Sequence, residues 1–140
     1  MINKELEEFI LEDNMNTPYY DLLNIETVDL EEGLAKAKFV VKSELTNPYK
    51  SLHGGAIASL ADMVMGVAIR TTNRKAVTVN FNIDYLAAGE LLDTIIAEGE
   101  VTKNGKNLIF TEAQLYKERT KKIIARAKGT FMAQGPLLTD

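Results

Sequence analysis

The residues best suited to chemistry lie in one short stretch that contains the chain's single histidine. His53-Gly54-Gly55 precedes the apolar run AIASLADMVMGVAIR, in which the only acidic residue is Asp62. Charged side chains are seldom fully buried without a partner. A carboxylate in such a run is a candidate base or nucleophile, unless it faces water or pairs with Arg70 or Arg74.

The run from Gly55 to about Thr71 predicts a helix, because it is rich in Ala, Leu and Met and lacks the alternation of a strand. Its polar face is narrow, so we expect it to be buried almost all round. The first N–H groups of a helix lack internal acceptors and carry the positive end of the dipole. The start of this helix is therefore a candidate donor site for an anion or for a carbonyl oxygen that gains charge. The alternative is that the glycine pair only eases a tight turn.

Distance constrains how the two ends of this stretch cooperate. Asp62 follows Gly54 by eight residues, which is about 12 Å along a helix axis. A reacting atom must lie about 3 Å from both its oxyanion donors and the attacking group. If both residues act on one substrate, Asp62 must come from a second copy of the chain, as a symmetric dimer would allow. A catalytically active monomer would contradict this hypothesis.

Two helices are predicted before the first strand. Asn3 is a candidate cap for a helix that carries Leu6, Phe9 and Ile10 on one side, and Thr17-Pro18 begins a second helix. Hydrophobic alternation then predicts six strands, which are Asn24–Leu30, Leu34–Lys42, Ala76–Leu86, Thr94–Lys103, Asn107–Lys117 and Lys122–Ala133.

The third predicted strand has the cleanest alternation in the chain. Its apolar face is expected to consist of Val77, Val79, Phe81, Ile83 and Tyr85. Asn104-Gly105 is a strong hairpin signal between the next two strands. The C-terminus is expected to fray at Gly135-Pro136. Short links favour antiparallel pairing.

These elements predict an α+β architecture in which an antiparallel sheet curls around one long buried helix. We expect a single domain over residues 1–140, with an N-terminal helical segment (1–23) and a core (24–134). Hydrophobic residues make up 46% and charged residues 26% of the chain, as in ordinary globular proteins.

The composition also excludes several classes of function. The net charge of −4 gives no field that favours nucleic acid or anionic membranes, and no apolar run is long enough to span a bilayer. Without cysteine there is no disulfide, thiolate ligand or cysteine nucleophile. A cysteine-free chain is consistent with the cytoplasm, where we expect the protein. A single histidine and the absence of cysteine argue against a metal cluster, so no metal is expected.

The stretch from Asn47 through His53-Gly54-Gly55 to Leu60-Ala61-Asp62, followed by VTVNFNIDYLAAGE, resembles the hotdog-fold thioesterases, in particular their PaaI-like branch. The resemblance covers about residues 23–133. It implies a helix wrapped by an antiparallel sheet, dimers with one continuous sheet that often pair into tetramers, and hydrolysis of an acyl-CoA thioester. Coenzyme A would be part of the substrate, and no cofactor is expected.

The resemblance also implies roles for individual residues. The Gly54 N–H would polarise the thioester carbonyl, and Asp62 of the partner subunit would activate water or attack directly. Asn47 would orient water or substrate, and His53 would hold the loop and the ligand. Thr78 matches a position where a serine or threonine often assists.

Further contacts with the substrate are expected around these groups. Gly55 lies at the same helix start as Gly54, and Tyr85, Lys103 and Lys106 are candidate contacts for coenzyme A along the strand edges; the alternative is that these three are solvated strand-end residues. We expect the depth of the acyl pocket to depend on Met63, Met65, Tyr19, Tyr20 and the N-terminal helix.

Three other functions remain open from the sequence. His53 could serve a catalytic triad with Ser51 or Ser59, although no nucleophile-elbow context surrounds either serine. The same scaffold could bind acyl-CoA without catalysis, or act as a dehydratase or hydratase on acyl thioesters. No basic recognition helix precedes the motif, which argues against a sensor attached to a DNA-binding module. Release of a thiol with a free acid as the other product separates hydrolysis from binding alone and from dehydration or hydration.

Overall fold

The structure is a computed structural model that describes residues 2–139. Two helices open the chain, α1 (Lys4–Met15) and α2 (Pro18–Leu22). The predicted cap is confirmed, because Asn3 Oδ1 accepts backbone hydrogen bonds from the first turn of α1. Leu6 and Ile10 are buried, whereas Phe9 stays 39% exposed, so the apolar side of α1 is narrower than predicted.

The remaining elements form one sheet and one long helix. The sheet has six strands, in the order β1-β2-β4-β5-β6-β3, and every pair is antiparallel. The strands are β1 (Glu26–Glu31), β2 (Leu34–Val40), β3 (Arg74–Tyr85), β4 (Thr94–Asn104), β5 (Leu108–Lys117) and β6 (Ile123–Pro136). The predicted hairpin between β4 and β5 is present.

The long helix α3 (Gly54–Arg70) lies in the curl of this sheet. Ten of its residues are buried, including Leu60, Met65 and Ile69. Its backbone lies close to β4: a Cβ built on Gly99 would lie 2.7 Å from the Val64 carbonyl oxygen. The predicted α+β architecture, with one buried helix inside an antiparallel sheet, is confirmed.

Strand β3 corrects the predicted alternation. The pairing of β3 with β6 shifts between Thr78 and Asn80, so Val79 forms a bulge. A bulge adds one residue and reverses which residues face the core. Thr78, opposite the buried Phe131, therefore shares the inner face with Phe81, whereas Val77 and Val79 are 53% and 56% exposed.

Smaller differences concern the ends of elements. β1 begins at Glu26 rather than Asn24, and a short 3-10 helix, Ser43–Leu45, was not predicted. β6 continues to Pro136, so the predicted fraying at Gly135-Pro136 is wrong. The division of the chain into segments 1–23 and 24–134 within a single domain stays a prediction. In the part of the chain that the structure describes, no helix is long and apolar enough to cross a membrane.

Candidate active site

The start of α3 presents one free backbone donor. His53 caps the helix, and its Nδ1 accepts the Gly55 N–H at 2.8 Å. That bond puts the proton of a neutral imidazole on Nε2. Gly54 is the first helical residue, and no acceptor in the described residues receives its N–H. Of the two glycines, only Gly54 therefore keeps an amide for a ligand.

Tyr85 packs against the same helix start. Its hydroxyl donates a hydrogen bond of 3.0 Å to the Gly54 carbonyl oxygen. A Cβ built on Gly54 would lie 3.3 Å from the Tyr85 ring, so a larger residue would crowd the tyrosine. Predicted as a contact for coenzyme A, Tyr85 touches the backbone that carries the candidate oxyanion donor.

Asn47 organises the loop that leads into α3. Its Oδ1 accepts hydrogen bonds from the backbone N–H groups of Tyr49 (2.9 Å) and Ser51 (3.1 Å), and from the Ser51 hydroxyl at 3.3 Å. Such a pattern is a side-chain-stabilised turn. The Asn47 amide nitrogen has no acceptor within residues 2–139, so it remains available to a ligand.

The Asp62 carboxylate faces an opening rather than an arginine. It is half-buried, and its Oδ1 accepts a hydrogen bond of 2.7 Å from the Thr78 hydroxyl. Arg70 instead bonds to Asp13 and Asn14, and Arg74 bonds to the β4–β5 turn. The alternative in which Asp62 pairs with Arg70 or Arg74 is therefore wrong.

A cleft of about 420 Å³ opens beside Asp62. Its walls are aromatic and apolar apart from a few hydroxyls and the one carboxylate. The cleft is lined by Tyr19 and Tyr20 of α2, Ala58, Ser59, Asp62 and Met63 of α3, and Thr78 and Phe81 of β3. Met65 was also predicted to shape this pocket, but it is fully buried in the core and does not line the cleft.

The α2 wall of the cleft is attached to α3 through a bond that no sequence pattern indicated. The Tyr19 and Ser59 hydroxyls lie 2.6 Å apart, and Ser59 Oγ donates to the Gly55 carbonyl at 2.9 Å. Since a serine hydroxyl has one proton, Tyr19 is the donor in the first contact. Burial raises the pKa of the neighbouring Tyr20, helped by the Asp62 and Asp13 carboxylates and opposed by Arg70, so the Tyr20 phenol stays neutral at pH 7.

No serine forms the predicted alternative triad with His53. The Ser59 hydroxyl is engaged with Gly55 and Tyr19, and the Ser51 hydroxyl with Asn47. Within the described residues, no group of three or more His, Cys, Asp or Glu side chains is placed to hold a metal ion. The Asp62 carboxylate beside the cleft and the unused Gly54 amide at the start of α3 are the groups that remain available to a ligand.

Lys103 and Lys106 lie far from the helix start. Both are exposed, and both belong to the β4–β5 turn region, where Arg74 donates to the Gly105 and Lys106 carbonyls. Arg74 begins β3 and Tyr85 ends it. The strand between them spans roughly 35 Å. Within a single chain, these two lysines therefore lie far from Tyr85 and Gly54.

The fold and the site together define a class of protein, the hotdog-fold thioesterases. The sequence profile of the Thioesterase superfamily matches residues 49–124, which is more than half of the chain. The chain belongs to this superfamily.

Comparison with individual proteins gives more specific similarities than the superfamily match. The chain is 35% identical over 108 residues to acyl-coenzyme A thioesterase 13 of Homo sapiens, covering 76% of this chain and 77% of that protein. It is 29% identical over 101 residues to acyl-coenzyme A thioesterase PaaI of Escherichia coli, covering 72% of each.

Solved structures confirm the hotdog fold, and the sequence similarity to PaaI supports the resemblance to the PaaI-like branch. The E. coli PaaI structure superposes with a TM-score of 0.91 at 24% identity, over 99% of this chain and 100% of that one. A Streptococcus mutans protein solved with acetyl-CoA superposes with a TM-score of 0.78 at 28% identity, over 81% of this chain and 90% of that one.

Proposed function

We propose that this protein is an acyl-CoA thioesterase, which hydrolyses an acyl-CoA thioester to a free carboxylic acid and coenzyme A. One observation carries the proposal: a single helix offers an unused N–H at its first turn and, further along, a half-buried carboxylate that opens into a mainly apolar cleft. The superfamily and the names of the relatives support the same reaction.

The proposed reaction needs only these two groups. Asp62 takes a proton from a water molecule whose oxygen bonds to the thioester carbon, while the Gly54 N–H stabilises the charge on the carbonyl oxygen. The C–S bond then breaks, and coenzyme A leaves as a thiolate that takes up a proton. Direct attack by Asp62, through an anhydride that water opens, is the alternative use of the same carboxylate. Coenzyme A is part of the substrate, and the step requires no cofactor or metal.

Two chains are needed to bring the groups together. Gly54 and Asp62 lie on one continuous helix, about 12 Å apart along its axis. β3 is an edge strand of 12 residues whose exposed face carries Val77 and Val79. An uncovered edge of this kind favours pairing with another strand. A second copy, joined through β3, is the partner that we propose.

The contacts along β3 support this arrangement. Along β3, Thr78 is the residue that bonds to Asp62, and Tyr85 is the residue that bonds to Gly54. If two copies of β3 pair antiparallel, with Thr78 across from about the partner's Tyr85, Asp62 comes alongside the partner's Gly54. The two-fold symmetry then creates two equivalent sites. Whether two such dimers pair into a tetramer stays a prediction.

The loop before α3 supplies the proposed supporting residues. Asn47 would use its free amide nitrogen to orient the water or the thioester, while its oxygen holds the loop. His53 would cap the helix through Nδ1 and present Nε2–H to the ligand, and Gly55 would allow close approach of the substrate.

The same antiparallel dimer would bring the β4–β5 turn near the mouth of the partner's site. Lys103 and Lys106 would then be candidates for the phosphates of coenzyme A bound at the other subunit. Within one chain the distance from Tyr85 forbids that role. Thr78 would act beside Asp62, and Tyr85 beside Gly54.

An acyl-CoA panel read out with a thiol-trapping reagent tests the reaction. The chain contains no cysteine, so the reagent reports only released coenzyme A. We expect turnover by the wild type and a loss of about 10²–10⁴-fold in Asp62→Asn. Equal turnover by both proteins would refute the mechanism. Tight binding without turnover on any substrate would favour a non-catalytic acyl-CoA binder, and product without thiol release would favour a hydratase.

A pair of variants isolates the oxyanion donor. Gly54→Pro removes the N–H, and proline is tolerated at the first helical position after an extended residue such as His53, whose ψ is 135°. Gly54→Ala keeps the N–H and has the same Cβ contact with Tyr85. We expect turnover of the proline variant to be about 10²–10³-fold below that of the alanine variant. Equal turnover would remove Gly54 from the mechanism.

Mixing two inactive variants tests the shared site. Gly54→Pro and Asp62→Asn chains are unfolded together, refolded, and checked for mixed dimers by native mass spectrometry. With equal amounts of the two chains, half of the dimers are mixed. Each mixed dimer has one of its two sites intact, so activity should return to about a quarter of the wild-type value. Mixed dimers without activity would contradict a site built from two chains.

Cell fractionation, with the protein detected by an antibody, tests the proposed cytoplasmic location.

A further inference from the structure

One wall of the cleft beside Asp62 includes a tyrosine that belongs to a different part of the chain. Tyr19 lies on α2, and its hydroxyl reaches across to Ser59 on α3. Ser59 precedes Asp62 by three residues, so the two side chains lie on the same side of α3, less than one turn apart. Tyr19 thus stands at the border of the space next to the carboxylate.

We propose that Tyr19 forms the end wall of the acyl pocket and limits the length of the acyl group that the enzyme accepts. This inference rests on the proposed function, which puts the thioester carbon next to Asp62. The acyl group attached to that carbon then occupies the adjoining cleft, where Met63, Phe81 and Tyr20 provide apolar and aromatic walls. Tyr19 closes that space on the α2 side.

Within the described residues, the Tyr19 hydroxyl makes one hydrogen bond, the one with Ser59. α2 has five residues and none of them is buried, and Tyr19 itself is 52% exposed. The Ser59 hydroxyl cannot turn away freely, because it donates to the Gly55 carbonyl. The chain Tyr19–Ser59–Gly55 therefore fixes the phenol relative to α3, where the reacting groups lie.

The rest of the N-terminal segment is anchored independently of Tyr19. Arg70, near the far end of α3, bonds to Asp13 and Asn14 of α1, and Asn14 bonds in turn to Thr27 of β1. Leu6 and Ile10 of α1 are buried in the core. A substitution at Tyr19 should therefore open the cleft without releasing the helices.

The test is the ratio of kcat/KM for long and short straight-chain acyl-CoA substrates, from acetyl to hexadecanoyl. Space for one methylene group changes the discrimination between two substrates that differ by that group by about 10-fold or more. We expect Tyr19→Ala to raise the long-to-short ratio at least tenfold and Tyr19→Trp to lower it. Tyr19→Phe and Ser59→Ala, which remove the hydrogen bond but keep the ring, should shift the ratio upward by less. Leu22→Ala is the matched control, because Leu22 is on α2, 76% exposed and outside the cleft.

The outcomes separate this inference from the proposed function. A wild type that releases thiol from none of the substrates refutes the function. If the wild type is active and the variants at Tyr19 keep its length profile, or lose activity equally at all lengths, the end-wall role is wrong while the function stands. If circular dichroism shows that Tyr19→Ala does not fold, the test depends on Tyr19→Trp, which should lower the long-to-short ratio of kcat/KM. An unchanged ratio in that variant would then refute the end-wall role.

Discussion

The Thr78 hydroxyl donates a hydrogen bond of 2.7 Å to the Asp62 carboxylate of the same chain, and so joins the edge strand β3 to the central helix. Thr78 reaches the inner face only because Val79 bulges from the strand. The bond occupies one carboxylate oxygen of Asp62, and among the described residues no hydrogen bond reaches the other. A carboxylate held in this way has a fixed orientation for the proposed reaction.

Removal of the Thr78 hydroxyl should reduce turnover. A hydrogen bond to a charged group contributes about 1.5–3 kcal/mol, which corresponds to about 10- to 100-fold in rate if it is lost from the transition state. We expect Thr78→Val to lower kcat by that factor, and Thr78→Ser, which keeps the hydroxyl, to stay near the wild type. Steady-state kinetics on the best acyl-CoA measures both. Equal kcat in all three proteins would show that Thr78 does not position Asp62.

Tyr85→Phe distinguishes a role at the helix start from a role in binding coenzyme A. The variant keeps the ring against Gly54 and loses only the bond to its carbonyl. A neutral hydrogen bond contributes about 0.5–1.5 kcal/mol, so we expect kcat to fall about 2- to 10-fold with KM unchanged. A raised KM with unchanged kcat would instead indicate that the phenol contacts the substrate.

Asp93 should make stability depend on acid pH. Burial alone would raise the pKa of Asp93, but the Glu90 N–H and the Lys117 ammonium at 3.3 Å outweigh it and hold the pKa below its usual value. A depressed folded-state pKa contributes stability above the unfolded value of about 3.9, and that contribution is lost as the pH falls through the folded-state pKa. The Asp93 and Lys117 side chains are only 16% and 14% exposed, so solvent screens the pair weakly.

We therefore expect Asp93→Asn to lower the free energy of unfolding by about 1–2 kcal/mol at pH 7, with the difference from the wild type shrinking below about pH 4. Urea denaturation at a series of pH values measures this. Glu44→Gln is the control: the pKa of Glu44 is also lowered, first by its bond to Ser43, but the side chain is fully exposed. A pH-independent difference for Asp93→Asn would contradict the electrostatic explanation.

Two glycine substitutions should have opposite effects on stability. A Cβ on Gly99 would meet the α3 backbone at 2.7 Å, and such overpacking costs about 1–3 kcal/mol. A Cβ on Gly66 would make only an ordinary contact of 3.8 Å with Phe131. Since glycine inside a helix is unfavourable relative to alanine by about 0.5–1 kcal/mol, Gly66→Ala should stabilise. Thermal unfolding of both variants measures the signs, and a stable Gly99→Ala protein would mean that α3 can shift on the sheet.

Local pattern was enough to predict much of the fold. The helix after Gly54 and the six strands follow from periodicity, because burial of one face imposes a spacing that the sequence must keep. The helix start and Asp62 were likewise visible, since glycines before a helix and a charge in an apolar run are departures from that spacing. Their separation of about 12 Å along one helix already raised the need for a second chain.

The tertiary structure decided what depends on pairing between distant segments. The exposure of Val77 and Val79 arises from a bulge and from the position of β3 at the sheet edge, and neither is encoded in the alternation of β3 itself. The bond between Tyr19 and Ser59 joins residues 40 positions apart. The distance from Tyr85 to Lys106 follows from strand order. Side-chain periodicity reports which face of an element is buried, but the neighbours of that face are chosen only when the whole sheet closes around the helix.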